Sequence, residues 1–396
     1  MIDRSVFARL GRRVVTATVG GSFRSLQSRL LAVKRARIML PVAFSHTMVK
    51  ELPQSPYEAA IVHLNSLQSN AVTLQKSREK RGLLQEMNVP DTILKLSKCG
   101  IEVRSPHLVH ARERIRINGT PISEALFAKH FFTVYNLLKK NEAEDGMPPY
   151  FKFLTLLSFH VFLEESVDVA IVEVGIGGEY DCTNVVRHPV VCGISTLDID
   201  HTSILGSTLP EIAWHKAGIL KCGTPSIISL PPLDALSVIE SRGVERETEV
   251  HIAPPYESYF FPHGNVSAGI AGDHQKINIS LALQLARTWL QRMGREVAVF
   301  PDASENEWHA GEPFNVPVPV VEAIESCQWR GRSHIVNTDR VRYYLDGAHT
   351  PKSMEVCWLW PKSSCLVTEE ILSDHHFLFS LMITLLKAMI CCWTAG

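Results

Sequence analysis

Four stretches of this sequence place chemically capable side chains beside apolar runs. The first is Val172-Glu173-Val174-Gly175-Ile176-Gly177-Gly178. A carboxylate stands near the C-terminal end of a strand-like run, and glycines follow at once. In open α/β sheets that edge is where ligands bind. Glycines there let backbone amides approach a phosphate or a substrate closely. A dinucleotide fingerprint requires GxGxxG, and Tyr180 holds its third glycine position, so that signal fails. A plain strand-to-loop turn with an acid at its mouth is the competing reading. The second stretch is Asp198-Ile199-Asp200-His201, followed by Leu205-Gly206. It also follows a strand, so Glu173 and His201 are expected to converge from neighbouring strand ends. Magnesium takes few protein ligands and draws the rest from phosphate. The imidazole keeps zinc and manganese open as well. A helix cap at Asp200 and a core-satisfied histidine compete with this.

The third stretch, Ile212-Ala213-Trp214-His215-Lys216-Ala217-Gly218-Ile219, sets a lysine in an otherwise apolar helical turn. That is costly unless the amine is paired or modified. Carbamylation would make it a carboxylate-like group able to hold a cation; a solvent-reaching lysine fits the spacing too. The fourth joins Arg332 to Leu345-Asp346-Gly347-Ala348-His349. An arginine before one strand and an acid ending the next suit phosphate and ribose contacts. They suit a surface ion pair equally.

These groups need a scaffold, and the apolar periodicity predicts one. Residues 55–103 read as helical, with Tyr57, Ile61, Leu64 and Leu67 at helical spacing. A polar turn follows at Arg104-Ser105-Pro106-His107. Phe151–Phe162 reads as a helix, Val167–Val174 as a buried strand and Pro189–Leu197 as a second strand. Thr208–Leu220 is a helix with a Thr cap and a proline in its first turn. Strand 224–230, helix 233–241, strand 249–253, loop 254–272 and helix 274–293 complete the alternation. Alternating strands and helices predict a parallel sheet covered on both faces. Residues 300–332, with four prolines, read as a linker, and 334–337 and 342–346 as a strand pair.

Composition bounds the function. The 396 residues are 45% hydrophobic and 20% charged, which excludes a wholly disordered, collagen-like or disulfide-scaffold chain. Lys+Arg (40) and Asp+Glu (41) balance, so no basic excess points to nucleic acid. Nine cysteines without a CxxC pair fit a reducing compartment. Residues 1–37 hold nine Lys/Arg and one acid, Asp3, the make-up of a mitochondrial transit peptide. Initiation at Met39 or Met48 would leave a cytoplasmic form. Phe377–Trp393 is apolar but shorter than the ~20 residues of a membrane span, so no span is expected.

Taken together, the strings resemble the folylpolyglutamate synthase family of Mur-ligase-like amide ligases. The matching text is SPHLVHARERIRING (Ser105–Gly119), PPYFKFLTLLSFHVFL (Pro148–Leu163) and VDVAIVEVGIGGEYDCTNVV (Val167–Val186). It continues with DIDHTSILGSTLPEIAWHKAGILK (Asp198–Lys221), GDHQKINISLALQLA (Gly272–Ala286) and YYLDGAHT (Tyr343–Thr350). The resemblance implies ATP-dependent addition of L-glutamate to the γ-carboxylate of a tetrahydrofolate through an acyl phosphate. A carboxylate is a poor acyl donor, and phosphorylation supplies a leaving group. By the same resemblance, Ser105, Glu173 and His201 match magnesium ligands. Lys216 matches a carbamylated lysine, and His349 a motif facing the active site. Asn278, Arg332 and Asp346 match ATP contacts. Tyr150, Phe151, Phe153, Thr155 and Tyr180 match the folate region. A monovalent cation and a monomeric chain are further implications.

The implied architecture is α/β, a Mur-ligase-like parallel-sheet domain akin to P-loop NTPases. Its divisions are a transit segment (1–47), an ATPase-like central domain (48–299), a linker (300–332), a Rossmann-like C-terminal remnant (333–357) and a divergent apolar tail (358–396). One departure is internal. The family carries a GTxGKGS-type phosphate loop before SPHL, whereas here Ile101-Glu102-Val103-Arg104 runs straight into Ser105. No Gly-Lys dipeptide occurs anywhere in the chain. The missing strand–loop–helix–strand unit would have supplied backbone amides, a lysine and a hydroxyl for ATP and magnesium. The second departure is the short C-terminal domain. The sequence therefore predicts a weakly active or inactive ligase; the alternative is a non-catalytic folate-binding or non-functional splice form.

Overall fold

Capping side chains and β-branched runs set the local elements. The computed structural model describes residues 53–68, 100–103, 107–141, 146–262, 264, 266–300, 308–337, 342–348, 350 and 353–357. Every element below lies within Ser55–Gly396. The expected transit and tail segments, and the candidates Ser105 and His349, lie outside the described residues. Helix α1 (Pro56–Ser66) starts where the Ser55 hydroxyl accepts from the Glu58 amide at 3.1 Å.

The helical reading of 55–103 is corrected at its end. Gly100–Val103 is a strand, β1. Its Ile101 and Val103 pair antiparallel with Ile117 and Ile115 of β2 (Ile115–Ile117), which continues to β3 (Thr120–Pro121). A few alternating residues cannot separate strand from helix by period, so the neighbouring strands decide. Helix α2 (Glu124–Lys140) was not anticipated above. Its signals are nonetheless present: a Ser123 cap, an acid at its first position and two lysines in its last turn. Helix α3 (Tyr150–Glu164) and strand β4 (Val169–Val172) follow, and β1 pairs parallel with β4.

The second half alternates as expected. Strand β5 (Cys192–Ile194) leads to the single turn α4 (Thr202–Leu205) and then α5 (Leu209–Lys216). A capping box joins Thr208 and Glu211 at the start of α5: the Glu211 carboxylate accepts from the Thr208 amide at 3.0 Å and from its hydroxyl at 2.8 Å. Strand β6 (Ser226–Ile228), helix α6 (Leu233–Glu245), strand β7 (Val250–Ile252) and the long helix α7 (Gln275–Arg292) complete it. Strands β5, β6 and β7 form a parallel sheet in that order.

The expected parallel sheet is present as β5-β6-β7, and β4 lies outside it. Among the described residues the sheet order is β3-β2-β1-β4, separate from β5-β6-β7. Strand β4 is not buried: Ala170 and Ile171 are exposed, Ile171 by 54%. A parallel neighbour needs a crossover of a dozen or more residues. The direct run from Val103 into Ser105 holds none.

Three apolar clusters carry the packing. Phe127, Phe131 and Phe153 join α2 to α3, with Phe131 and Phe153 centroids 5.0 Å apart. Ile212, Leu220, Ile228 and Ile239 form the second. The third corrects the linker reading of 300–332. Trp308, Phe314, Val316 and Val321 are buried with Leu283 of α7, and Val318–Ser326 is a helix, α8. Isolated aromatics among prolines hide a packed segment from any search for apolar runs. The hairpin β8 (His334–Asn337) and β9 (Arg342–Leu345) is antiparallel, as its sequence suggested.

Candidate active site

The glycine run after β4 is accounted for by packing. A Cβ on Gly178 would stand 2.6 Å from the His215 carbonyl oxygen and 2.9 Å from that of Lys216. On Gly175 it would meet the Phe151 ring at 2.5 Å. Gly177 has a left-handed φ of +72°. The turn therefore lies flat on the C-terminal end of α5. The Glu179 amide donates to the His215 carbonyl at 2.8 Å, and Asn184 Nδ2 donates to the carbonyls of Glu179 and Gly218 at 3.1 and 3.0 Å. Asp181 closes the loop by accepting from the Ile176 amide at 3.0 Å and the Thr183 amide at 2.9 Å.

A buried ion cluster locks this arrangement. The Glu179 carboxylate pairs with Arg242, and with Arg246 at 3.0 Å. The Arg242 guanidinium also lies over the Trp214 ring at 4.6 Å. The Glu179 and Arg242 side chains are 10% and 6% exposed, so neither charge is left to water. The loop carrying Glu173 and the helix carrying Lys216 are thus held together by charge and by backbone contact.

Lys216 sits half-buried at the end of α5. Burial pulls its amine below the ordinary lysine range, and the Asp200 carboxylate opposes that pull. His201 is exposed, with a left-handed φ of 50° at the start of α4, so the core-histidine alternative does not hold. Its ring lies 3.7 Å from Asp200 Oδ2, and its amide donates to Asp200 Oδ1 at 2.6 Å. A non-glycine residue held in that region is often found at functional sites. Glu173 is exposed just past β4 and acts electrostatically on Arg114. Among the described residues, no three His, Cys, Asp or Glu side chains group closely enough to hold a metal. The acid and imidazole donors suit a cation only if phosphate or other oxygens complete its shell.

The fourth constellation lies at the turn after β9. Asp346 accepts from the amides of Ser333 at 2.7 Å and Ala348 at 2.8 Å. The exposed Arg332 guanidinium occupies the place a Cβ on Gly347 would take, which explains that glycine. His274 is near enough to Asp346 for its charge to be felt, although burial holds the imidazole below its ordinary range. Gln275 links the two sides, its amide nitrogen 3.0 Å from the His274 ring and its oxygen accepting from Asn278 at 3.0 Å. Asn278 is therefore linked through Gln275 to His274, which feels the Asp346 charge; His274 and Gln275 are two residues the sequence reading assigned no role. Thr350 then donates its hydroxyl to Asp198 Oδ2 at 2.5 Å, tying this turn to the His201 loop.

The folate set is corrected in part. Phe153 is 0% exposed in the aromatic core, and Thr155 is buried with its hydroxyl on the Phe151 carbonyl at 2.9 Å. The all-round apolar text of α3 buries them, so neither faces a ligand. Tyr150 and Phe151 are half-buried, and Tyr180 is exposed beside Trp214 and His215.

Solved structures share this fold. The apo folylpolyglutamate synthase of L. casei matches with a TM-score of 0.58 and 21% identity, over 78% of this chain and 81% of that one. The Mycobacterium tuberculosis enzyme complexed with ADP matches with a TM-score of 0.56 and 20% identity, over 77% and 73%. A folylpolyglutamate synthase complex with AMPPCP and folate matches with a TM-score of 0.55 and 21% identity, over 85% of both chains. The fold is the Mur-ligase-like α/β fold. Sequence narrows the class. A putative folylpolyglutamate synthase of Caenorhabditis elegans is 43% identical, over 82% of this chain and 71% of its own length. The mitochondrial folylpolyglutamate synthases of Bos taurus and Homo sapiens are 38% and 39% identical, over 82% and 79% of this chain. No family model matches. The chain belongs to the folylpolyglutamate synthase family. It spans 63% and 60% of the bovine and human relatives.

Proposed function

We propose that this chain is an ATP-dependent ligase that joins L-glutamate to the γ-carboxylate of a tetrahydrofolate, at a rate far below that of an intact family member. The observation that carries the reading is a pair of ties at the strand ends. The Glu173 turn rests on the Lys216 helix through Glu179, and the His201 loop is tied to the β9 turn through Asp198 and Thr350. A relative solved with AMPPCP and folate, and another solved with ADP, support nucleotide and folate as substrates.

Glu173 and His201 are the residues that would hold Mg2+, with Ser105 as a third donor. Bound there, the ion offsets charge on the transferring phosphoryl group. Lys216, with its amine driven toward the neutral form, is suited to carbamylation, which would add a carboxylate beside the same loops. Arg332, Asn278 and Asp346 are assigned to the nucleotide, and His349 to the side facing the reacting carboxylate. Tyr150, Phe151 and Tyr180 are assigned to folate. A monovalent cation and a monomeric enzyme complete the reading. The basic residues 1–37 and the mitochondrial relatives support a mitochondrial form, with a cytoplasmic form from a later methionine.

The absence of any Gly-Lys dipeptide favours a second reading, folate binding without turnover. Loss of one preorganised donor costs roughly 10²–10³ in rate, and the phosphate loop supplies several. Incubation of the full chain with tetrahydrofolate, L-glutamate and Mg-ATP separates the two. Slow glutamate-extended product, with matching ADP and none from Glu173→Gln, supports the ligase. Tetrahydrofolate binding with no product supports the binding form. Absence of both overturns the folate assignment.

A further inference from the structure

A further group of charges lies at the other end of the β5-β6-β7 sheet from His201. Arg187 and His188 stand shortly before β5, Lys221 and Cys222 before β6, and Glu245, Arg246 and Glu247 before β7. The three strands are parallel, so their N-terminal ends bring these segments together, around a cavity of about 260 Å³. His201 follows β5, at the C-terminal edge where ligands of open α/β sheets bind, so the cavity is separate from the candidate active site. Most charges in it are matched. Arg242 donates to both Glu245 oxygens, at 2.8 and 2.6 Å, and shares Glu179 with Arg246. The Glu247 carboxylate accepts from the Cys222 thiol at 3.4 Å. Lys221 is the exception. Its half-buried ammonium meets one hydrogen-bond acceptor among the described residues, the Asn184 carbonyl at 3.5 Å, and forms no ion pair with them. Burial pulls this amine below the ordinary lysine range and the Arg246 charge adds to the pull, while Cys192 and Glu179 oppose it.

With Glu179 and Glu245 set against Arg242 and Arg246, the cavity keeps Arg187 and Lys221 against the single carboxylate of Glu247, which leaves one positive charge over. A cation drawn partly out of water beside a second cation is costly unless an anion joins them. We propose that this cavity binds a small oxoanion of the phosphate class, seated on the Lys221 ammonium with the Arg187 and Arg246 guanidinium groups beside it. A tetrahedral oxoanion accepts from several donors at once, and an ammonium flanked by guanidinium groups supplies them. The Glu245 and Glu247 carboxylates in the lining disfavour nucleic acid or another extended polyanion. The space admits a phosphate ester as well as the free ion. The site goes beyond the ligase reading and does not depend on it.

Acetylation of Lys221 in the full chain, followed by mass spectrometry against pH with and without inorganic phosphate at constant ionic strength, tests it. Bound phosphate stabilises the ammonium, so the Lys221 midpoint should rise by about one pH unit. The phosphate concentration that gives half of this rise should increase about threefold in Arg187→Gln, an exposed position whose change leaves the Glu179 cluster intact. A lower half-rise concentration for glycerol phosphate than for phosphate identifies an ester as the occupant, and the reverse order identifies the free ion. The proposal is overturned if phosphate leaves the Lys221 midpoint unmoved, or if chloride in its place produces the same rise. It is equally overturned if Lys216 rises by as much as Lys221, or if Arg187→Gln responds at the same phosphate concentration as the unsubstituted chain.

Discussion

Arg287 shows how one side chain holds a region that looked unstructured in the sequence. Its guanidinium is 3% exposed and pairs with Glu296 at 2.7 Å. It lies 4.7 Å from the ring centroids of Phe300, Trp308 and Phe314. Arg287→Leu leaves the largely buried Glu296 carboxylate unpaired, which should cost roughly 3–5 kcal/mol. Urea denaturation reads the loss, and a change under about 1 kcal/mol contradicts it. Lys216 makes a second prediction at this scale. Because burial lowers its pKa, its neutral amine should react with acetic anhydride at a lower pH than the lysine of an unstructured model peptide once access is normalised. Mass spectrometry of the labelled peptides against pH gives the two midpoints. Coincident midpoints would remove the physical basis for carbamylation.

The glycine turn and α5 act as one element. In Gly178→Ala, the new methyl meets two backbone carbonyls, of His215 and Lys216, which cannot rotate away. Overpacking of this kind typically costs about 1–3 kcal/mol. The turn should lift off α5, so the variant should lower the unfolding midpoint and also shift the Lys216 labelling midpoint upward. Loss of stability without movement of that midpoint would mean that the turn does not set the lysine's environment. The tie between the His201 loop and the β9 turn is weaker. Thr350→Val removes the hydroxyl that bonds Asp198 and accepts from the Ser353 amide, and should cost about 1–2 kcal/mol. Faster amide exchange at 346–350 should accompany it.

For the whole molecule, acid is the weak side. His107, His160 and His274 all have pKa values lowered, first by burial. Each stays neutral in the folded chain at a pH where the unfolded chain takes up its proton. The unfolded state therefore binds more protons below about pH 6.5, and stability falls as pH drops from there. The lowered carboxylate of Glu113, which accepts from three backbone amides, is protonated at still lower pH and continues the same trend. Denaturation between pH 8 and pH 5 should show a falling midpoint. A flat profile would mean that these imidazoles are solvated. The exposed Ala170 and Ile171, on opposite faces of β4, belong to this scale as well, since exposed apolar strand residues favour self-association.

The sequence by itself determined the elements whose signals are local. The Thr208 cap and the short strands at 226–228 and 250–252 needed no distant partner to be read, whereas the equally local Ser123 signals of α2 went unread. It also determined the family, because long motif strings survive in order, and it placed His201 after its strand; Glu173, read as near the end of strand 167–174, lies just past β4. Tertiary structure alone decided the rest. Phe153 and Thr155 look like ligand contacts until a helix that is apolar all round turns them into the core. The glycines look like a phosphate cradle until α5 packs against them. Gly100–Val103 became a strand, and 308–326 a packed segment, through residues far away in the chain. Period and caps are short-range properties. Which face is buried, and which charges find partners, depends on elements that meet only after folding.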